Sequence, residues 1–138
     1  MNNVFVLDAC ALIALINNED GSDIIEDVIR KAQAGNASII MNKLNLLEVY
    51  YDAYRTYGED VANKLINNIN KPPFSIHAEL SDDVFKEAGR LKASYKISIA
   101  DSVALAETII SGGKLLTSDH HEFDVIEKAE NIEFHWIR

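Results

Sequence analysis

The feature that most constrains the fold is a short strand near the N-terminus that is apolar without interruption. Val4–Leu7 carries four apolar residues in a row and is followed directly by Asp8. A strand with one face in water alternates apolar and polar residues, whereas a strand buried on both faces does not. The pattern therefore predicts a central strand of a parallel sheet with an acidic residue at its carboxyl end.

Strand and helix patterns alternate along the rest of the chain. Further strands are predicted at 37–41, 74–77, 114–117 and 132–137, and helices at 11–16, 23–34, 44–57, 60–70, 81–94, 98–111 and 122–129. This alternation predicts an α/β protein, a three-layer α/β/α sandwich with a mostly parallel central sheet. Because the chain has 138 residues and no linker or repeat, we expect one domain, 1–138.

Charge and hydropathy limit the partners of this chain. The 13 Lys and Arg residues are outnumbered by 22 Asp and Glu residues, which gives a net charge of −9. Such a chain repels nucleic acid unless its acids hold cations that meet the phosphates, so a passive nucleic-acid binder is not expected. No apolar run approaches the ~18 residues of a membrane span, and no basic segment precedes the first apolar run. We therefore expect a cytoplasmic protein without membrane contact.

Four acidic residues occur where the hydrophobic pattern favours apolar ones. Asp8 and Asp119 follow predicted strands, and Glu48 and Asp101 lie in apolar stretches of predicted helices. In an open parallel sheet such positions gather at the carboxyl edge, where α/β proteins place their sites. Lys and Arg are absent from 1–28 and from 97–113, so local ion pairs cannot neutralise Asp8 or Asp101. Converging carboxylates of this kind indicate a site for Mg²⁺ or Mn²⁺.

Helix capping is the alternative interpretation of the same acids. Asp8 and Asp119 stand where N-caps would, and the pairs Asn45 with Glu48 and Ser98 with Asp101 have capping-box spacing. Capping requires no ligand and is compatible with a non-catalytic interaction domain. A measured affinity for divalent metal distinguishes the two interpretations.

Taken in order, the four motifs resemble those of the PIN-domain ribonucleases, and among them the VapC-type toxins of toxin–antitoxin pairs. The matching segments are Val4–Leu7 with Asp8, Leu46–Val49 around Glu48, Ile99–Ala106 around Asp101, and Leu115–Asp119 followed by Phe123. The resemblance covers essentially the whole chain. It implies a PIN-like fold and a metal-dependent endoribonuclease in which Asp8, Glu48, Asp101 and Asp119 are the catalytic and metal-binding residues. It also implies an RNA substrate, an antitoxin partner and a homodimer.

The chain departs from the family pattern beside two of the acids. Many members carry Thr and Ser or Asn after the first Asp, where this chain has Ala9 and Cys10. Members that cut RNA often carry basic residues near the fourth acid, where this chain has Ser118 and two histidines, His120 and His121. Hydroxyl support of Asp8 is therefore either absent or comes from elsewhere in the chain.

Cys10 bears on a rival function, a Mg²⁺-dependent phosphatase on a similar scaffold. Phosphatases of the haloacid dehalogenase type carry a second Asp two residues after the first, and Cys10 occupies that position here. This single cysteine lies in an apolar run, so we expect it to be buried rather than nucleophilic.

Two further clusters have structural interpretations. Adjacent residues on a helix point about 100° apart, so His120 and His121 are expected in a solvated first turn rather than around one metal ion. Leu44, Leu47, Tyr51 and Tyr54 recur at helical spacing, as do Tyr50 and Tyr57, which favours a core or dimer contact over base stacking. We expect part of the stretch 46–57 to lie in a dimer interface. Candidate phosphate contacts are Lys43, Arg55, Arg90, Lys92 and Lys96.

Overall fold

Alternating strands and helices build a single parallel sheet in the structure, a computed structural model that describes residues 3–138. The elements are β1 (Asn3–Leu7), α1 (Ala9–Ile16), α2 (Ser22–Gln33), β2 (Ala37–Asn42), α3 (Lys43–Tyr57), α4 (Glu59–Ile69), β3 (Phe74–His77), α5 (Asp82–Ser94), α6 (Ile99–Ser111), β4 (Lys114–Thr117), α7 (His120–Ala129) and β5 (Glu133–Trp136). The strand order is β3-β2-β1-β4-β5, and every pairing is parallel. The predicted α/β class and parallel sheet are therefore confirmed. Among residues 3–138, none of these helices combines the length and the hydropathy that a membrane-spanning segment requires.

The central strands are buried on both faces, as the uninterrupted apolar run predicts. Phe5 and Leu7 of β1 pack with Leu116 of β4 in a core against α1 and α2. Val6 and Leu115 point to the opposite face and pack in a second core against α5, α6 and α7. Because successive side chains of a strand point to opposite faces, each central strand contributes to both cores. The result is the three-layer sandwich expected from the sequence.

Helix α3 buries a different face from the one suggested by its tyrosine spacing. The side chains in the core are Leu46, Val49 and Ala53. Leu44 packs against the second core, whereas Leu47, Tyr51 and Tyr54 are 54%, 52% and 46% exposed, so a core contact is wrong for these three residues. The stretch carries apolar residues on two faces, and the smaller side chains pack against the body of the protein. The dimer contact proposed for this stretch stays a prediction.

The start of α3 also differs from the predicted capping box. Strand β2 continues to Asn42, and its side chain accepts a hydrogen bond from the backbone N–H of Leu44 at 2.9 Å. Asn42 is therefore the N-cap, and Asn45 lies inside the helix instead of capping it with Glu48. The strand ends later than predicted because Asn42 still pairs with β3 before the chain turns into the helix.

Two glycines provide a matched test of the packing between β1 and β4. A Cβ atom added at Gly113 would lie 2.6 Å from the carbonyl oxygen of Val4, whereas one added at Gly89 in α5 would meet nothing within 4 Å. We expect Gly113→Ala to lower the free energy of unfolding by ~1–3 kcal/mol through overpacking. Gly89→Ala should raise it by roughly 0.5–1 kcal/mol, because alanine is the better helix former. Urea denaturation measures both, and effects of the same sign would contradict the packing described here.

Candidate metal centre

The candidate site lies where the strand order of the sheet reverses. Strands β2 and β3 lie on one side of β1, and β4 and β5 lie on the other. Ligands of open α/β sheets bind in the crevice at the carboxyl ends of the strands at such a switch point. Asp8 directly follows β1, and Asp119 follows β4 after one intervening residue. The first and fourth predicted acids therefore flank this crevice.

Asp8 is buried and held by two hydrogen bonds. Only 3% of the residue is exposed, and Oδ1 accepts a hydrogen bond from the backbone N–H of Ala11 at 2.8 Å. Burial raises the pKa of Asp8 to about 7, and the charges of Asp101 and Asp119 act in the same direction. A hydrogen bond from the Thr117 side chain opposes that rise. Thr117 thus supplies the hydroxyl support that Ala9 and Cys10 cannot give.

Thr117 also connects the first and fourth acids. Its Oγ1 accepts a hydrogen bond from the backbone N–H of Asp119 at 3.1 Å, and its side chain is fully buried. Asp119 in turn accepts one from the backbone N–H of Glu122 at 3.2 Å as the N-cap of α7. The role of Thr117 is not apparent from the sequence, where it reads as the last residue of an apolar strand.

Asp101 has the most acidic surroundings of the four. Burial raises its pKa to about 6, with further contributions from the charges of Asp119, Glu48 and Glu122, while a hydrogen bond with Ser98 lowers it. The pKa of Glu48, which is half-buried in α3, is also raised by burial. Asp101 is therefore close enough for charge repulsion with Asp8, Glu48 and Asp119. The structure brings all four acids to one edge of the sheet.

Capping and clustering are compatible functions of these acids. Asp8 and Asp119 are N-caps of α1 and α7, and Ser98 caps α6 by accepting a hydrogen bond from the backbone N–H of Asp101 at 3.0 Å. The capping interpretation is thus confirmed for Asp8 and Asp119. In each case the cap hydrogen bond involves one carboxylate oxygen, Oδ1. One oxygen of each carboxylate is thus not used by the cap, so capping does not argue against a metal site.

The four carboxylates form an open cluster rather than a closed cage. Among residues 3–138, no three His, Cys, Asp or Glu side chains stand close enough to share one metal ion as they are placed. Mg²⁺ usually keeps several waters and binds through one or two carboxylates, so an open set of oxygen donors fits this ion. The raised pKa values of Asp8 and Asp101 point the same way, because a cation offsets both burial and mutual repulsion.

Two asparagines contact α6, the helix that carries Asp101: Asn42 at the end of β2 and Asn45 in α3. Asn42 Nδ2 donates to Glu107 Oε2 at 3.0 Å, and Asn45 Nδ2 donates to the carbonyl oxygen of Ala100 at 3.0 Å. Glu107 is buried and also contacts His77 Nδ1 at 2.9 Å. The Asn45 contact links α3, which carries Glu48, to α6, which carries Asp101, whereas the Asn42 contact links the end of β2 to α6.

Residues beside the first and fourth acids differ in part from expectation. Cys10 is half-buried, not fully buried, and its Sγ lies 2.9 Å from Ser118 Oγ in a hydrogen bond. Burial raises the pKa of Cys10, so the thiol is a poor nucleophile. His120 stacks on Trp136 with ring centroids 3.8 Å apart, and His121 is exposed in the first turn of α7. The two histidines therefore do not converge on one point.

The candidate phosphate contacts separate into paired and unpaired residues. Arg55 forms an ion pair with Asp52 at 3.1 Å, and Arg90 forms ion pairs with Glu87 and Glu130. The remaining candidates are exposed and have no ion pair within residues 3–138, namely Lys43, Lys92 and Lys96. The lysines are therefore the better candidates for contacts with an anionic ligand.

The raised pKa of Asp8 predicts how stability depends on pH. The folded chain keeps this proton up to pH about 7, whereas the unfolded chain releases it near the ordinary value of 3.8. Because the folded state binds more protons between these values, the free energy of unfolding should fall as pH rises through this range. We expect a loss of order 1 kcal/mol or more between pH 5 and 8 in EDTA.

Asp8→Asn is the matched variant for this measurement. Asparagine still accepts the Ala11 cap hydrogen bond but carries no charge, so its urea midpoint should be less sensitive to pH and at least equal to that of the parent at pH 8. Parallel pH profiles of the parent and the variant would contradict a perturbed Asp8. A variant that is less stable than the parent at pH 8 would contradict it as well, because removal of a repelled buried charge should not destabilise the fold there.

Comparison with known proteins gives a consistent result for the whole chain. The profile of the PIN domain matches residues 5–129. No curated protein gives a significant sequence match. Among solved structures, VapBC2 from Rickettsia felis bound to a promoter DNA fragment is similar with a TM-score of 0.74 and 17% identity, over 96% of this chain and 98% of that one.

Two other solved structures are similar over comparable lengths. DNA-bound VapBC from Salmonella typhimurium has a TM-score of 0.75 and 14% identity, with full coverage of both chains. VapC20 from Mycobacterium tuberculosis, a toxin that cleaves the sarcin-ricin loop, has a TM-score of 0.63 and 14% identity, over 93% of this chain and 95% of that one. At these identities the likeness concerns the fold. Because the profile match extends over most of the chain, this protein belongs to the PIN domain family.

Proposed function

We propose that this protein is a divalent-metal-dependent endoribonuclease and the toxin of a toxin–antitoxin pair. The observation that carries the proposal is the position of Asp101, whose pKa is raised by burial and by the charges of Asp119 and Glu48 beside the switch point of the sheet. Membership of the PIN family and the likeness to VapC toxins support the same activity. A cluster of acids in a chain of net charge −9 can approach a phosphodiester only with a cation between them.

Asp8, Glu48, Asp101 and Asp119 are the residues that would hold the cation. When bound, Mg²⁺ or Mn²⁺ supplies Lewis acidity at a phosphodiester oxygen and lowers the pKa of a coordinated water. The protein contributes placement, because Ala11 N–H and Thr117 fix the Asp8 carboxylate and Ser98 restrains Asp101.

Protonation of Asp8 couples metal affinity to pH. With a pKa of about 7, the Asp8 carboxyl group still carries its proton in a large fraction of the molecules at neutral pH. A cation must displace this proton in order to bind, so its affinity rises with pH through this range. Asp101, with a pKa of about 6, is mostly ionised under the same conditions.

A cleft beside Asp101 offers a path for single-stranded RNA. It has a volume of about 450 Å³, and its lining includes Lys96, His121 and Glu122. The charge of Glu122 acts on Asp101, which puts the cleft next to the acid cluster. Lys96 is exposed and unpaired within residues 3–138, so it can meet a backbone phosphate while the acids hold the cation. Exposed loops of RNA reach such a surface more readily than a duplex.

An RNA cleavage assay tests the activity. Single-stranded and hairpin RNA should be cut in Mg²⁺ or Mn²⁺ and left intact in EDTA. Ca²⁺ should support little cleavage, because it is the poorer Lewis acid. Asp8→Asn and Asp101→Asn should each lower the rate by roughly 100-fold or more, since each removes a charged metal ligand. Urea midpoints of both variants establish that they are folded.

Other outcomes of the assay identify the rival functions. Hydrolysis of p-nitrophenyl phosphate without RNA cleavage would favour a phosphatase. Absence of Mn²⁺ binding in calorimetry would favour a non-catalytic interaction domain. RNA cleavage that survives EDTA, or that both variants retain at the parental rate, would show that the four acids are not the site.

An antitoxin and a second copy of the chain are the proposed protein partners. Several of the similar solved structures are toxin–antitoxin complexes, which supports an antitoxin for this chain. For the homodimer we propose the exposed apolar side chains of α3, which are Leu47, Tyr51, Tyr54 and Tyr57. The Tyr54 and Tyr57 hydroxyl groups donate to Glu59 and Asn17, so both rings are held in place on this surface. A patch of held aromatic rings loses little conformational entropy on association.

Sedimentation at tens of micromolar tests the dimer with a matched pair of variants. Tyr51→Glu introduces a charge into the α3 patch and should convert a dimer into a monomer. Phe85→Glu makes the same change at Phe85 on α5, which is 65% exposed and lies outside this patch, and should leave the dimer intact. A monomeric parent would exclude the homodimer. If Phe85→Glu dissociates the dimer and Tyr51→Glu does not, the interface lies on α5 instead of α3.

A further inference from the structure

The side chain of Asn45 forms a hydrogen bond through its amide nitrogen but none through its oxygen. The residue is 1% exposed and lies on α3, one helical turn before Glu48. Its Nδ2 donates to the carbonyl oxygen of Ala100 at 3.0 Å. Because a carbonyl can only accept, the amide nitrogen must face Ala100, and this fixes the orientation of the group. Its Oδ1 is the one buried side-chain nitrogen or oxygen atom within residues 3–138 that has no hydrogen-bond partner.

An unpaired acceptor is unusual in these surroundings. Asn42, the other asparagine that contacts α6, has a hydrogen-bond partner for each of its amide atoms. Burying an acceptor without a partner opposes folding, so such atoms require an explanation. The contact with Ala100 accounts for the nitrogen of Asn45 but leaves the oxygen unexplained.

The position of Asn45 relates this oxygen to the acid cluster. Residues three apart on a helix are neighbours on its surface, so Asn45 and Glu48 share one side of α3. The hydrogen bond to Ala100 ties Asn45 to the residue directly before Asp101. Asn45 thus lies between the two helices at the point where each presents its site carboxylate.

We propose that Asn45 is a further residue of the metal centre, whose Oδ1 accepts a hydrogen bond from the hydration shell of the bound cation. This inference rests on the proposed function. An open set of four carboxylates leaves Mg²⁺ or Mn²⁺ with several of its own waters, and these donate hydrogen bonds. A carboxamide oxygen receives them without adding charge to acids that already repel one another. Asparagine suits the position better than a fifth carboxylate for this reason.

Calorimetry with Mn²⁺ on the full chain tests the proposal without any use of activity. Asn45→Leu is close in size and removes both the unpaired oxygen and the contact with Ala100. We expect Mn²⁺ affinity to fall about tenfold or more, as is usual when a group that supports metal ligands is lost. The urea midpoint in EDTA should change little, because the leucine removes an unpaired buried acceptor at the same time as a hydrogen bond.

Asn42→Ser is the matched control at the N-cap asparagine that precedes α3. Serine still caps the helix, but it cannot reach Glu107 as the Asn42 amide does. This variant should lower the urea midpoint and leave Mn²⁺ affinity within about twofold of the parent. Asn45→Leu should therefore weaken Mn²⁺ binding with little change in stability, whereas Asn42→Ser should lower stability with little change in Mn²⁺ binding. Asn45→Ala provides the same comparison if leucine prevents folding.

The results that overturn the inference differ from those that overturn the proposed function. Asn45 is excluded from the centre if its apolar variants bind Mn²⁺ within twofold of the parent while Asp101→Asn loses binding. It is also excluded if Mn²⁺ binding is unchanged and only the affinity for an RNA oligonucleotide falls, since the oxygen would then contact RNA. The metal centre itself fails if Asp101→Asn binds Mn²⁺ as the parent does.

Discussion

The rest of the structure depends on the burial of one carboxylate, that of Asp8, at the end of the central strand. Burial and the charges of Asp101 and Asp119 both oppose its ionisation. Two hydrogen-bond donors stabilise the ionised form: the Ala11 N–H at the start of α1 and the Thr117 side chain at the end of β4. These donors leave the acids concentrated at one edge of the sheet, and a cation is the simplest means of offsetting their repulsion.

The sequence was sufficient to predict the sheet and to identify four acids near its carboxyl edge, and their role as metal ligands stays a prediction. Val4–Leu7 shows no alternation because Val6 faces one core while Phe5 and Leu7 face the other, so its pattern reports burial directly. The acids were identifiable because a charge in an apolar segment is unfavourable and because Lys and Arg are absent from 1–28 and from 97–113. Both features depend on residues that are close together in the chain, so they can be recognised from one sequence alone.

What the sequence could not provide depends on partners that are distant along the chain. Asn45 contacts Ala100 and Asn42 contacts Glu107 across 55 and 65 positions, and no spacing rule predicts such pairs. The exposed face of α3 is a similar case, because its two apolar faces are equally plausible until the neighbours are known. Thr117 looks like a strand residue, and only the adjacent carboxylate makes its hydroxyl functional.

The pairing of β1 with β4 has a consequence for the order of folding. Cys10 and Ser118, which touch beside the acids, are 108 positions apart, and the Asp8 N–H donates to the Leu116 carbonyl across the same long loop. Closing a loop of this length is entropically unfavourable, and packing of the intervening elements lowers that cost. A growing chain that lacks 114–119 has an unpaired edge on β1 and lacks Thr117 and Asp119. The acid cluster is therefore assembled only as the fold is completed, and partly synthesised chains lack it.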